Sequence, residues 1–195
     1  TVLLPALTPT PAGQTAKSSF DGSVAYPPPS NFYITANLKD LGFTQLGDLT
    51  AGLAVVAPFG TLMRWPENGP FNTARTFAAL ELFDIKPTLA YKLNDQLSVG
   101  VGADIYTFFN FWGEGHLQRD FISAGPPAFP LAPAGARVET TGRDTAAGFN
   151  VSLMYTPFRN ADGKPLANIG FVYRSQATLH TKGQFLVDGA VQADT

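Results

Sequence analysis

Residues Gln96–Trp112 read QLSVGVGADIYTFFNFW, and their alternation decides the fold. The odd positions run Leu97, Val99, Val101, Ala103, Ile105, Thr107, Phe109 and Phe111. The even positions run Gln96, Ser98, Gly100, Gly102, Asp104, Tyr106, Phe108 and Asn110. A strand sends successive side chains to opposite faces, so one face here is almost wholly apolar and the other small or polar.

The same period of two recurs on both sides of this stretch. Phe32, Ile34, Ala36 and Leu38 oppose Tyr33, Thr35 and Asn37; then Leu49, Ala51, Leu53, Val55 and Ala57 oppose Thr50, Gly52, Ala54 and Val56. Gly42 and Gly47 lie between these runs, which predicts a hairpin. A second hairpin is predicted where Asn94 and Asp95 separate Phe83–Lys92 from Leu97 onward, a place for residues that tolerate positive φ. Pro87 inside its first arm predicts an edge or a bulge there. A third hairpin pairs Ala147, Phe149, Val151, Leu153 and Tyr155 with Ala167–Leu179 across the turn RNADGKP.

These arms make about six strands of roughly ten residues, the length a tilted strand needs to cross a bilayer. Links within hairpins are short, whereas those at 59–74 and 113–143 are long. That asymmetry belongs to outer-membrane barrels. TARTFAALELF has helix-forming residues, yet it reads best as the loop-proximal extension of a strand. The organisation expected is therefore a Pro/Ser/Thr-rich loop at 1–30, barrel strands over 31–183, and the start of a further loop at 184–195.

Composition supports the membrane reading. Charged residues make up 14% of the chain, against roughly 25% in soluble domains, and the polar faces carry Gly, Ser, Thr and Asn rather than Lys and Glu. That suits a crowded lumen better than a free surface. Tyr91 and Tyr155 near the short turns, and Phe59, Phe83, Phe109, Phe111 and Trp112 near the long loops, suit either two interfacial girdles or ordinary core packing.

Other classes are set aside by the same inventory. A net charge of -2 gives no reason to expect nucleic acid. The lack of Cys removes thiolate catalysis, disulfides and zinc–thiolate sites. No apolar run is long enough for a transmembrane helix, and no signal-peptide pattern opens the chain. His116 and His180 are isolated, GVGADI lacks the third glycine of a dinucleotide loop, and no GxSxG occurs. Neither an enzyme nor a cofactor is expected.

The fold class is thus all-β, an antiparallel transmembrane β-barrel of outer-membrane type. Six strands cannot close one, because a bilayer forbids open edges and the smallest bacterial barrels have eight. The chain is expected to be a piece of a larger barrel.

PPPSNFYITANL, LTAGLAVVAPFG, DIKPTLAYKLNDQLSVGVGADIYTF, GFNVSLMYTPF and IGFVYRSQATLHTKG, in this order, resemble the middle of the FadL-type long-chain fatty-acid and hydrocarbon transporters of Gram-negative outer membranes. The resemblance runs from about Pro29 to Gly183. It implies a fourteen-stranded barrel, monomeric at full length, with an amino-terminal hatch and passive diffusion of hydrophobic molecules to a lateral opening. The hatch and the carboxy-terminal strands of that family are absent from this chain. The Pro-rich stretch from Trp112 to Arg143 has no family pattern.

The implied partners are a hydrophobic ligand and outer-membrane lipid. The resemblance also puts Phe59, Leu62, Met63 and Trp65 in a loop at the outer entrance, where apolar side chains could collect such a ligand; packing of the loop against its neighbours is the plainer reading of them. By strand parity Asp84, Lys86, Asp104, Tyr106, Phe108 and Arg174 face the lumen. Arg174 suits a fatty-acid carboxylate or an internal pair with Asp84 or Asp104, and Tyr106 and Phe108 suit a pocket wall or contact with the hatch. Two other readings are a non-specific outer-membrane pore and a soluble β-sandwich or lipocalin-like binder.

Overall fold

The computed structural model describes the backbone of Ser23–Val24 and residues 31–58, 61–109 and 114–194. Of the residues singled out above, Phe59, Phe111 and Trp112 lie outside the described residues, as does most of the 1–30 segment.

Thirteen strands occur in the described residues: β1 (Ser23–Val24), β2 (Phe32–Asn37), β3 (Leu49–Val56), β4 (Thr61–Arg64), β5 (Phe77–Leu80), β6 (Leu82–Lys92), β7 (Leu97–Phe108), β8 (Leu117–Ile122), β9 (Arg137–Gly142), β10 (Ala146–Arg159), β11 (Pro165–Arg174), β12 (Gln184–Val187) and β13 (Ala190–Asp194). A single 3-10 turn, Thr44–Leu46, is the only helical element among them.

The strands form two antiparallel sheets. One has the order β2-β3-β6-β7-β10-β11 and contains all three expected hairpins; the other has the order β1-β4-β5-β8-β9-β12-β13. The orders correspond position by position, since β1 and β2, β3 and β4, β5 and β6, β7 and β8, β9 and β10, and β11 and β12 are each neighbours along the chain. The second sheet therefore continues the first beyond the long-loop end. We call them the lower and upper sheets.

In the lower sheet the sequence parity becomes two kinds of row. Ala36, Ala51, Leu89, Val101, Val151 and Tyr173 lie in register across all six strands. One residue along, Thr35, Gly52, Thr88, Gly102, Asn150 and Arg174 do the same. The apolar face is bare: Val101 and Phe149 are each 52% exposed. The polar face is crowded, and a β-carbon on Gly102 would come 2.7 Å from Thr88 Cγ2 and 2.9 Å from the Pro87 carbonyl. A soluble sandwich would stack its apolar faces together, whereas here each sheet contacts its own neighbouring strands and the apolar face stays open.

Several local expectations need correction. Pro87 lies in an interior strand, not at an edge. Its cost is a break in pairing with β7, which runs to Ile85–Ile105 and resumes at Thr88–Gly102, because proline supplies no N–H there. The turn at Asn94–Asp95 uses no positive φ. Instead the Asn94 Oδ1 accepts hydrogen bonds from the Gln96 and Leu97 N–H groups, both at 2.9 Å. The third hairpin ends at Arg174 rather than Leu179, where the Ser175 Oγ accepts from the Phe149 N–H at 2.9 Å.

The two segments read as long loops carry short strands, and TARTFAALELF does form strand, with β5 at Phe77–Leu80. Of the residues 184–195 read as loop, Gln184–Asp194 are a hairpin closed by Asp188 and Gly189 at φ 48° and 80°, the two positive values of a type I′ turn. The upper sheet also has a packed core. Ala132, Ala136 and Val138 are buried against Phe121, Phe129, Phe185 and Val187, and Phe129 meets the Phe121 ring edge-on at 5.2 Å. Phe83 takes the core-packing alternative, buried beside the Phe109 ring at 5.1 Å. Tyr91 and Tyr155 are exposed near the short turns.

Candidate functional site

The polar face of the lower sheet concentrates charge at one level. Asp84 and Lys86 are two apart on β6 and so share a face; Asp104 comes from β7. The Lys86 ammonium bridges both carboxylates, at 2.5 Å from Asp104 Oδ1 and in close contact with Asp84 Oδ2. Both aspartates are almost fully buried. Asp84 Oδ1 has no hydrogen-bond partner in the described residues.

Tyr106 stands directly across from Asp84 in the register. Arg174, at the sheet's edge and exposed, acts electrostatically on Asp104 and Tyr106, but makes no ion pair among the described residues. Lys86 has taken both carboxylates, so the internal pairing expected of Arg174 does not form. The result is a buried triad carrying one excess negative charge, with a free guanidinium nearby. Phe108 is set apart: it ends β7 opposite Leu82 and lines a cleft with Arg143 and Lys182.

The expected capture residues do not form one patch. Leu62 and Met63 belong to strand β4, not a loop, and as consecutive strand residues they leave on opposite faces. Leu62 sits across from Ala79, and Met63 across from Ala78 and Val24. Trp65 follows β4, held by its N–H donating to the Thr76 carbonyl at 2.7 Å and by an edge contact with Phe71 at 6.0 Å.

Trp65 lines a cleft of about 570 Å³ on the upper sheet together with Arg64, Phe77, Asp120 and Arg137. The cleft is more polar than the sequence suggests. Asp120, buried, accepts from Arg137 Nη2 at 2.7 Å and from Gln118 Nε2 at 2.9 Å. Arg64 lies over the Phe77 ring at 5.1 Å. The Asp120 carboxylate raises the Arg137 guanidinium above its ordinary range. Burial pushes the Glu81 carboxyl up, opposed by the Glu114 N–H that donates to it at 2.8 Å. Asp120 and Arg137 lie seventeen apart in a Pro-rich stretch, so no spacing signal marks them.

His116 meets the Gln118 side chain at 3.3 Å, and no cluster of metal-ligating residues occurs among the described residues. What the arrangement can do is line a passage, with a polar, charge-bearing inner face backed by an apolar outer one.

A family model described as "Outer membrane protein transport protein (OMPP1/FadL/TodX)" matches residues 41–194. Among solved structures, the chain is similar to a FadL homologue from Pseudomonas aeruginosa at 18% identity and a TM-score of 0.54. The likeness covers 82% of this chain and 34% of that one, so the chain spans about a third of that structure's length. No curated protein matches.

Proposed function

This chain belongs to the FadL/TodX family of outer-membrane transport proteins, and we propose that it forms part of a barrel wall passing long-chain fatty acids or related hydrophobic compounds passively into the cell. Its compartment is the bacterial outer membrane. The observation that carries the reading is the pair of adjacent six-strand rows, apolar from Ala36 to Tyr173 and polar from Thr35 to Arg174. The first row suits lipid and the second a lumen.

In this reading the Asp84–Lys86–Asp104 triad is a fixed part of the wall. Arg174, left without an ion pair, is the residue that meets a cargo carboxylate, since a guanidinium can hold both of its oxygens. Tyr106 and Phe108 line the inner surface further toward the long-loop end, four and six residues along β7 from Gly102, which shares the row of Arg174. At the upper sheet, Trp65 and the Arg64–Phe77 stack offer a first contact for an amphipathic molecule; Leu62 and Met63 support capture only as neighbours of that surface.

The test uses cells that make the full-length parent protein. Long-chain fatty-acid uptake should fall several-fold in Arg174→Gln, while uptake of a hydrocarbon of equal length stays unchanged. Equal uptake of both compounds by both proteins would favour a non-specific pore.

A further inference from the structure

Where the two sheets join, Arg143 and Lys182 form an isolated antiparallel bridge. Each donates its N–H to the other's carbonyl, at 2.9 and 3.0 Å. Residues paired in this way send their side chains to the same face. Two like charges directly opposite one another are unfavourable. Even so, both side chains are exposed and neither makes an ion pair among the described residues.

Glu139 and Asp144 each share a cleft with both cations, and neither pairs with them among the described residues. The Asp144 carboxylate accepts from the His180 N–H at 2.6 Å and from the Thr145 N–H, and these backbone donors hold it below the usual carboxylate range. Arg143, Asp144 and Lys182 together leave one net positive charge in a cleft of about 590 Å³, which also takes in Thr107, Phe108 and Thr145.

The cleft has a definite place in the membrane. Arg143 keeps the odd parity of Thr145, Ala147, Phe149 and Val151, and the Thr107 and Thr145 hydroxyls, 2.9 Å apart, mark that face as the apolar one. Twelve residues separate Arg143 from Tyr155 at the short-turn end. At ~3.4 Å per residue and a tilt of ~40°, that is about 30 Å in height, just beyond an apolar band of about 25 Å. Apolar side chains, then a threonine pair, then a cation pair follow one another up the wall.

We propose that Arg143 and Lys182 form an outward-facing site for the phosphate of an outer-leaflet lipid. A phosphate offers several acceptor oxygens, enough for a guanidinium fork and an ammonium together, and its charge removes the repulsion between them. The partner is a membrane lipid because the site stands at headgroup height on the lipid-facing side. The inference rests on the membrane location of this family and is independent of the cargo.

The experiment is native mass spectrometry of the full-length parent in non-ionic detergent, titrated with lipid A, a glycolipid bearing phosphate monoesters. The unmodified protein should bind it at least tenfold more tightly than R143Q/K182Q. R143K/K182R should keep most of the affinity, and a dephosphorylated analogue should bind all three proteins alike. A heat-modifiability gel on the same samples checks that each variant folds. Equal affinity of the folded R143Q/K182Q protein would overturn the proposal. So would displacement of lipid A by millimolar inorganic phosphate, which indicates a general anion site, or by a long-chain carboxylate, which indicates a cargo site.

Discussion

The lower and upper sheets share one strand order and come from the same stretches of chain, yet they bury opposite things. In the lower sheet the apolar residues stand exposed, with Phe171 at 64%, while Asp84 and Asp104 are hidden. In the upper sheet Val138 and Ala79 are fully buried, Val138 under a cap that returns from residues 123–136. The lower sheet relies on lipid to cover its apolar face, so it needs no core of its own. The upper sheet supplies a core of its own.

The largest test of this contrast is at the buried charges. Removing the cation in Lys86→Met leaves two buried carboxylates uncompensated, which should cost about 3–5 kcal/mol. Removing all three charges in D84N/K86M/D104N should cost far less. Urea unfolding of the full-length parent in lipid vesicles reads both, and equal losses would mean that water in the lumen already screens the cluster.

Next in size is a test of the two faces. Val151→Arg puts a charge on the apolar row and should destabilise by about 2–4 kcal/mol near the bilayer midplane. Asn150→Arg, one residue along, should cost much less. The same unfolding assay compares them, and a reversed order would turn the sheet inside out.

Smaller again, Val138→Ala should remove about 2 kcal/mol from the upper sheet alone. Cleavage between residues 123 and 136 by added protease should accelerate while the heat-modifiable mobility of the barrel stays as it was. Loss of both would show that the sheets fold as one cooperative unit.

The smallest effect concerns pH at the seam between the sheets. Burial raises the Glu81 carboxyl, so above its unfolded pKa of 4.5 the folded chain holds this proton more tightly than the unfolded one. Its contribution to stability therefore falls as pH rises through that window. Glu81→Gln keeps an acceptor for the Glu114 N–H and should flatten that part of the stability profile. An unchanged slope would assign the pH dependence elsewhere.

Much of the lower sheet was legible because its period of two is written in long runs. Leu97–Phe108 and Ala147–Tyr155 alternate so regularly that pairing, face and parity follow together. The buried triad was half legible: parity put Asp84, Lys86 and Asp104 on one face, but not which cation would take the carboxylates. Lys86 wins over Arg174 because it shares β6 with Asp84 and lies beside Asp104 on the adjacent β7, whereas Arg174 stands at the sheet's edge beyond Asn150. Apart from β5 in TARTFAALELF, the short upper strands were not read because so few residues give too little periodicity, except that Asp188–Gly189 between QFLV and AVQAD is a hairpin signal that the sequence does carry.

By itself, then, the sequence determined a β fold with one lipid-facing and one polar face, since alternation is a property of each strand alone. Only the tertiary structure decided that the long loops continue the wall as a second sheet, that Leu62 and Met63 face apart, and that Arg143 meets Lys182. Those facts depend on which strand lies beside which and in what register. Such information resides in contacts between residues far apart in the chain.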